Sequence, residues 1–202
     1  RFFVPWLNEA CRIVEEGVAN AITVDEAAKD AFKIGMGPYE LMNATGVPIA
    51  FHAETSLAKG LGKFYEPAAL LKPQAAMNKP WEIKGEVDKS KFDLIRDRLF
   101  AVTWGIAVEL VEEKVSSVED TDTGATTGLR WKAGPFAMMN ALGAKKSAAL
   151  LQRFSKESKY DFPLPQMKDL KAGKPWAART VKVVRDGPVT TLIMNRPDQM
   201  NA

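Results

Sequence analysis

His52 is the only histidine in the chain, and Glu54 two residues on supplies the acid that could orient it as a general base. On a helix, however, positions i and i+2 point to different faces, so the two do not form a dyad, and His52 reads as a structural or surface residue. Paired acids occur twice, at Glu15-Glu16 and Glu112-Glu113. Adjacent carboxylates could share acid–base work, but their plainer reading is a solvated face near a helix end. Met42-Asn43 and Met139-Asn140 read as packing and capping of a short helix. Gly60-x-Gly62 begins a dinucleotide fingerprint, yet Tyr65 stands where the third glycine is needed and the surroundings are helical, not strand-to-helix. Cys11, the single cysteine, lies in an apolar helical pattern between Ala10 and Ile13. It reads as a buried thiol, excludes an intramolecular disulfide, and makes a reducing cytoplasmic setting the default. With one His and one Cys no metal site is expected, and no catalytic residue is assigned.

Composition narrows the classes further. Hydrophobic residues at 46% and charged residues at 26% are ordinary for a globular chain, so neither disorder nor a fibrous repeat is indicated. A net charge of +3, from 28 Lys+Arg against 25 Asp+Glu, is too small to argue for a nucleic-acid groove or an anionic membrane surface. The longest apolar stretch, Leu99 to Val111, is interrupted by Thr103 and Glu109 and falls short of the ~20 residues of a membrane span; it reads as a helix buried in protein. The chain opens at Arg1-Phe2-Phe3 inside an amphipathic pattern and stops at Asn201-Ala202, with no initiator Met or signal peptide, so the expectation is an interior piece of a longer protein.

The elements that must position any site are written twice. Sliding the chain by 97 positions aligns Arg1 with Arg98, Val14-Glu15-Glu16 with Val111-Glu112-Glu113, Asp25 with Asp122, Gly37-Pro38 with Gly134-Pro135, and Met42-Asn43-Ala44 with Met139-Asn140-Ala141. Fifteen identities fall in 46 aligned pairs, where chance would give roughly three. That count predicts a duplication, so the two stretches should share one fold.

Within a copy, Trp6, Leu7, Ala10, Cys11, Val14 and Val18 follow the spacing of one helix face. A second helix is predicted from Thr23, with Asp25 and Glu26 in its first turn, where the dipole favours acids. Gly37-Pro38 separates it from a third, which Gly46 closes as Gly143 does in the other copy. Pro48 can begin a fourth, and a fifth is expected near Pro67. Residues 79–87, with Pro80, Trp81 and Gly85, break the helical period. From Lys156 to Ala178 the chain is rich in Lys and Pro with neither period, which reads as a semi-extended linker. Val181–Val184, Asp186-Gly187 and Val189–Met194 then carry a β-hairpin signal. The expected fold is all-α: two tandem helical bundles packed as a pseudo-dimer, plus a short C-terminal β-hairpin. The predicted boundaries are 1–78 for the first bundle, 79–87 for a connection, 88–157 for a second, degenerate copy, 158–180 for a linker and 181–202 for the hairpin unit.

Phe2-Phe3-Val4-Pro5-Trp6-Leu7-Asn8-Glu9-Ala10, Glu15-Glu16-Gly17-Val18, Asp25, and Gly35-Met36-Gly37-Pro38-Tyr39-Glu40-Leu41 together resemble the signature of the 3-hydroxyacyl-CoA dehydrogenase C-terminal domain. The second copy keeps Glu112-Glu113 and Gly134-Pro135-Phe136 but has Ala137 in place of Glu40. The run from Val183 through Gly187-Pro188-Val189 to Asn195-Arg196-Pro197-Asp198 and Met200-Asn201-Ala202 resembles the first hairpin and loop of the enoyl-CoA hydratase (crotonase) family.

These resemblances imply bundles of the 6-phosphogluconate dehydrogenase C-terminal-like type and a parent enzyme, bifunctional with enoyl-CoA hydratase, that oxidises 3-hydroxyacyl-CoA with NAD in fatty acid metabolism. The family's His-Glu general base would lie in an upstream NAD-binding domain, and its substrate-holding Asn would immediately precede Arg1, so this piece alone is expected to be inactive and to hold no cofactor. The second copy has Asp97 at that position. The crotonase resemblance places Asp198, Gln199 and Met200 near CoA. Expected partners are an acyl-CoA substrate, the upstream and downstream domains of the same chain, and a possible homo-oligomer, with neither nucleic acid nor membrane. The alternative is a helical interaction module that touches no ligand.

Overall fold

The computed structural model describes residues 1–177 and 181–194. Ten helices occur among the described residues: α1 (Phe3–Glu15), α2 (Ala21–Phe32), α3 (Pro38–Thr45), α4 (Val47–Leu61), α5 (Leu71–Met77), α6 (Phe92–Glu112), α7 (Val118–Thr123), α8 (Pro135–Leu142), α9 (Ala144–Glu157) and α10 (Lys168–Lys171). An antiparallel hairpin follows, β1 (Val181–Asp186) with β2 (Val189–Met194), in a register that pairs Val181 with Met194 and Asp186 with Val189. Gly187 takes φ 54° in its turn, a conformation that suits a residue without a Cβ. The chain is therefore mostly helical with a short terminal hairpin, as the periodicity implies.

The offset of 97 residues carries local geometry from one half to the other. Lys33 closes α2 in the left-handed region at φ 53°, and Arg130 sits at φ 57°. Gly46 and Gly143 join α3 to α4 and α8 to α9 at φ 106° and 99°. Asp25 accepts from the Tyr39 and Glu40 amides at 2.8 and 3.0 Å, and Asp122 accepts from the Phe136 and Ala137 amides at 2.8 and 2.9 Å. Each aspartate thus caps the helix that follows the Gly-Pro step, not the helix it sits in. Gly37 and Gly134 are obligatory there, since a Cβ would meet Asp25 or Asp122 atoms within 2.5 Å.

Boundaries differ from expectation where side chains intervene. The cap of α2 is Asn20, which accepts from the Thr23 amide at 3.0 Å, so the helix starts ahead of Thr23. α2 ends at Phe32, before Gly37, because Lys33 already supplies the left-handed stop. α5 begins at Leu71, beyond Pro67. In the second half α7 runs into a π-helical turn, Gly124–Gly128, where α2 is a single helix.

The stretch 158–180, read as a linker, is held against the helices across its described part. Phe162, Met167 and Leu170 are buried, and the Phe162 ring occupies the space that a side chain at Gly105 would need. Asn140 exchanges two hydrogen bonds with the backbone of Trp176, both at 2.8 Å, as Asn43 does with Trp81 at 3.0 and 2.6 Å. These two asparagines tie a returning strap to its bundle, a fuller role than the helix cap expected of them.

The core crosses the halves. α6 packs on α1 and α2 of the first half and on α8 and α9 of the second. Trp131 meets Phe32 at 4.5 Å and Trp6 at 5.8 Å between ring centroids, and Phe32 meets Phe100 at 5.1 Å. Such pairs each contribute about 0.5–1.5 kcal/mol beyond their buried area.

Candidate functional site at the start of the first helix

Helix α1 is buried nearly all round, and that burial takes in Asn8, Glu9 and Arg12 as well as Trp6, Leu7 and Ala10. Burying polar groups is costly unless each is paired, so their partners define where the chain spends stability. Asn8 donates to Glu54 Oε1 at 3.1 Å and to the Glu66 carbonyl at 3.0 Å, and accepts from the Ala68 amide at 2.8 Å. Arg12 donates to the Phe64 and Glu66 carbonyls at 2.5 and 3.1 Å and lies over the Tyr160 ring at 3.8 Å. Glu54, fully buried on α4, leaves Oε2 without a hydrogen-bond partner. Burial pushes its carboxyl up to about 8, against the pull of the Arg12 charge and the Asn8 amide.

Cross-half ion pairs flank this cluster. Arg98 reaches Glu9 at 2.6 Å and Glu16 at 2.9 Å, and Arg1 reaches Glu113 and Glu109 at 2.6 Å. Arg98–Glu16 and Arg1–Glu113 are the same pair under the 97-residue offset, exchanged between halves in the manner of an isologous contact. Glu15 and Glu112 accept backbone amides, from Leu70 at 3.3 Å and from Gln166 and Met167 at 2.9 and 2.8 Å. The doubled acids are therefore split in function: one cements the seam and the other caps the chain beyond. Tyr65 donates to Glu109 at 3.2 Å, and its phenol is pushed up to about 12 by burial, so it stays a donor at neutral pH.

A cavity of about 480 Å³, a size that suits a small ligand, is lined by a different set of residues, none of them from the polar cluster. Phe3, Trp6, Met36 and Leu41 line it from the first half, and Arg130 and Trp131 from the second. Its walls are mostly apolar, with Arg130 as the one charged lining residue and Met36 half exposed at its rim.

Other sequence candidates fall elsewhere. Asp198, Gln199 and Met200 lie outside the described residues. His52 is exposed on α4 while Glu54 is buried, so the two do face apart. Gly60 and Gly62 fall at the C-terminal end of α4, away from any strand-to-helix turn, and build no nucleotide cradle. Burial pushes the Cys11 thiol up to about 12, which suits a packing role. Among the described residues no three His, Cys, Asp or Glu side chains are grouped to hold a metal ion, and no helix is long and apolar enough to cross a membrane.

Sequence reasoning missed the Asn8–Arg12–Glu54 cluster. The signal lay in the repeat, at positions where the halves differ in kind: Asn8 against Gly105, Arg12 against Glu109, and, with α4 and α9 both opening in the same register, Glu54 against Leu151.

Comparison with known proteins completes the description. A family model, the 3-hydroxyacyl-CoA dehydrogenase C-terminal domain, matches residues 1–86 and 95–179. The fatty acid oxidation complex subunit alpha of Shewanella amazonensis is 30% identical over 193 residues, covering 79% of this chain and 26% of that protein. The chain thus spans about a quarter of that relative's length. Among solved structures, a 3-hydroxybutyryl-CoA dehydrogenase from Escherichia coli K12 matches with a TM-score of 0.69 at 15% identity, covering 85% of this chain and 58% of that one. At that identity the likeness is one of fold.

Proposed function

The chain belongs to the family of 3-hydroxyacyl-CoA dehydrogenase C-terminal domains, and from that premise we propose that it is the substrate-side helical part of an enzyme that oxidises 3-hydroxyacyl-CoA to 3-oxoacyl-CoA in fatty acid oxidation. Its two matched stretches are read as tandem copies of one domain, each including its strap, with the second standing where a partner subunit's domain would pack. The recurring caps, straps and exchanged Arg–Glu pairs support this reading. NAD would accept the hydride; on the resemblance to the family, its site and the His-Glu general base are assigned to a domain upstream of Arg1.

The observation that carries the proposal is the cavity beside the start of α1. Its apolar walls would exclude water from an acyl chain, and the buried polar residues Asn8 and Arg12 would hold α1, which lines it through Phe3 and Trp6, against the segment 64–68. The hairpin is assigned to the opening of an enoyl-CoA hydratase domain. Val181, Val183 and Leu192 expose 46%, 54% and 68% of their surface, as do apolar neighbours on both faces, which fits strands that a larger sheet would cover.

Calorimetric titration with acetoacetyl-CoA, on this chain and on the protein extended through the upstream domain, tests the proposal. Saturable binding by the extended protein is the expected result, with weaker binding by the chain alone. Heat from neither would remove the ligand-binding role and leave a helical interaction module.

A further inference from the structure

The side-chain polar groups that line the cavity between the halves are all donors. Trp6 is fully buried and its Nε1–H meets no acceptor, Trp131 brings a second indole, and Arg130 is a cation; none of the lining residues is acidic. A buried indole N–H without a partner is a demand the bundle leaves unmet, and a ligand that fits here would bring acceptors to a site that has only donors. Arg130 is unpaired for a reason the 97-residue offset makes plain. Lys33, at the equivalent position, closes α2 in the same left-handed conformation and pairs with Asp30 at 2.7 Å. Thr127 stands at the place of Asp30, so Arg130 has no acid one turn back, and its guanidinium makes neither an ion pair nor a hydrogen bond with any described residue. The backbone that delivers it departs from the first half as well. Gly124–Gly128 is a π-helical turn where α2 is regular, and it runs directly into the cavity wall formed by Gly128, Leu129, Arg130 and Trp131. Such turns are rare and concentrate at functional sites.

We propose that this cavity binds a medium-chain carboxylate, its hydrocarbon against Phe3, Trp6, Met36, Leu41 and Trp131 and its carboxylate on Arg130. The guanidinium presents a planar fork of N–H donors that matches the two oxygens of a carboxylate, and the apolar walls beside it strengthen the pairing by keeping water off the chain. A neutral chain would bury the same hydrocarbon and leave the arginine without a partner, so Arg130 selects for charge at the chain end. Two sources carry this chemistry: a free fatty acid, and the far end of an acyl chain that bears a second carboxyl group. The second source deepens the reading of the cavity as the acyl site and rests on that reading; the first does not.

Equilibrium dialysis of the full-length protein against octanoate, with 1-octanol as the uncharged chain, tests the site in the wild type, Arg130→Gln and Arg130→Lys. Arg130 is exposed, so both variants leave the core intact. Octanoate should bind the wild type more tightly than octanol does. Arg130→Gln should weaken octanoate by roughly tenfold while changing octanol less than about twofold, and Arg130→Lys, which keeps the charge without the fork, should fall between. No octanoate binding, equal affinity for the two probes, or octanoate held by Arg130→Gln as tightly as by the wild type overturns the proposal. Competition then separates the sources. Displacement of octanoate by the mono-CoA thioester of octanedioate, more strongly than by octanoyl-CoA, supports the proposal with an acyl-chain end as the ligand; displacement by neither supports it with a free acid. Arg130-dependent octanoate binding in a protein that takes up no acetoacetyl-CoA would defeat the dehydrogenase reading and leave the carboxylate site standing.

Discussion

Replacing Arg98 with Met should cost several times as much stability as the same change at Arg1, although the two arginines occupy equivalent positions. Methionine keeps most of the apolar stem, so the comparison isolates the charge. Arg98 pairs with Glu9, which is fully buried, and with Glu16, whose side chain is 15% exposed. Burial already raises the Glu9 pKa against the pull of Arg98 and Arg12. Without Arg98, Glu9 keeps only Arg12 at 3.6 Å, and a buried acid stripped of its main partner costs about 3–5 kcal/mol. Arg1 pairs with Glu109 and Glu113, 20% and 46% exposed, where water screens the charges, so its loss should cost about 1–1.5 kcal/mol. With a urea m-value of about 2 kcal/mol/M, the midpoint should fall by roughly 1.5–2.5 M for Arg98→Met and about 0.5–0.75 M for Arg1→Met. Adding Glu9→Gln to Arg98→Met should return at least half of the loss, because the orphaned charge goes with it. Equal midpoints for the two single variants would refute the claim that burial of Glu9, and not the ion pair as such, sets the cost.

Two further outcomes follow from the packing and the charge of the same region. Gly105→Ala would drive a Cβ into the Phe162 ring, an overpacking worth about 1–3 kcal/mol, and a thermal melt should show a smaller loss when Phe162→Leu accompanies it. Glu54, pushed up to about 8 from an ordinary 4.5, binds a proton in the folded chain that the unfolded chain releases. Its contribution is therefore full below about pH 4.5 and is lost as pH rises through 8, with a slope of up to about 1.4 kcal/mol per unit. Urea midpoints at pH 5, 6.5 and 8 should fall more steeply in the wild type than in Glu54→Gln.

Much of the architecture was legible because it is written in periodicity and in the repeat. The amphipathic face of α1, the Gly-Pro step into α3 and α8, and the Gly closures at 46 and 143 are each local signals, and each element stands where its signal does; the hairpin forms as well, but Asp186 pairs with Val189 inside the strands, so the turn falls on Gly187-Pro188 and not on Asp186-Gly187. The strap was not legible. Phe162, Met167 and Leu170 are spaced by five and three residues, which matches neither period, so a segment pinned by three buried side chains and an asparagine clamp looks like a linker. Partners were equally hidden. Arg98 reaches Glu9 and Glu16 across 89 and 82 residues, and Arg1 reaches Glu113 across 112, distances over which local pattern carries no information. Doubled acids at a helix end look solvated until the other half is placed against them.

Taken as the proposed tandem copies, the two halves also separate what the fold needs from what it can spare. Asp25 and Asp122, Asn43 and Asn140, Gly37 and Gly134, and Arg1 and Arg98 persist in both halves, and each makes the same contact twice; these are the terms of the shared fold. Positions that differ divide into two kinds. Glu40, standing against Ala137, closes a capping box on the Gly37 amide at 2.9 Å and pairs with Lys29 at 3.0 Å, so its removal costs about 1 kcal/mol of helix end together with a partly exposed ion pair. Asn8 and Glu54, standing against Gly105 and Leu151, are different in kind: the first half meets the demand of burial with a hydrogen-bonded amide and acid, the second with the Phe162 ring over Gly105 and the buried Leu151, so one shared backbone accepts a polar and an apolar solution at the same corner.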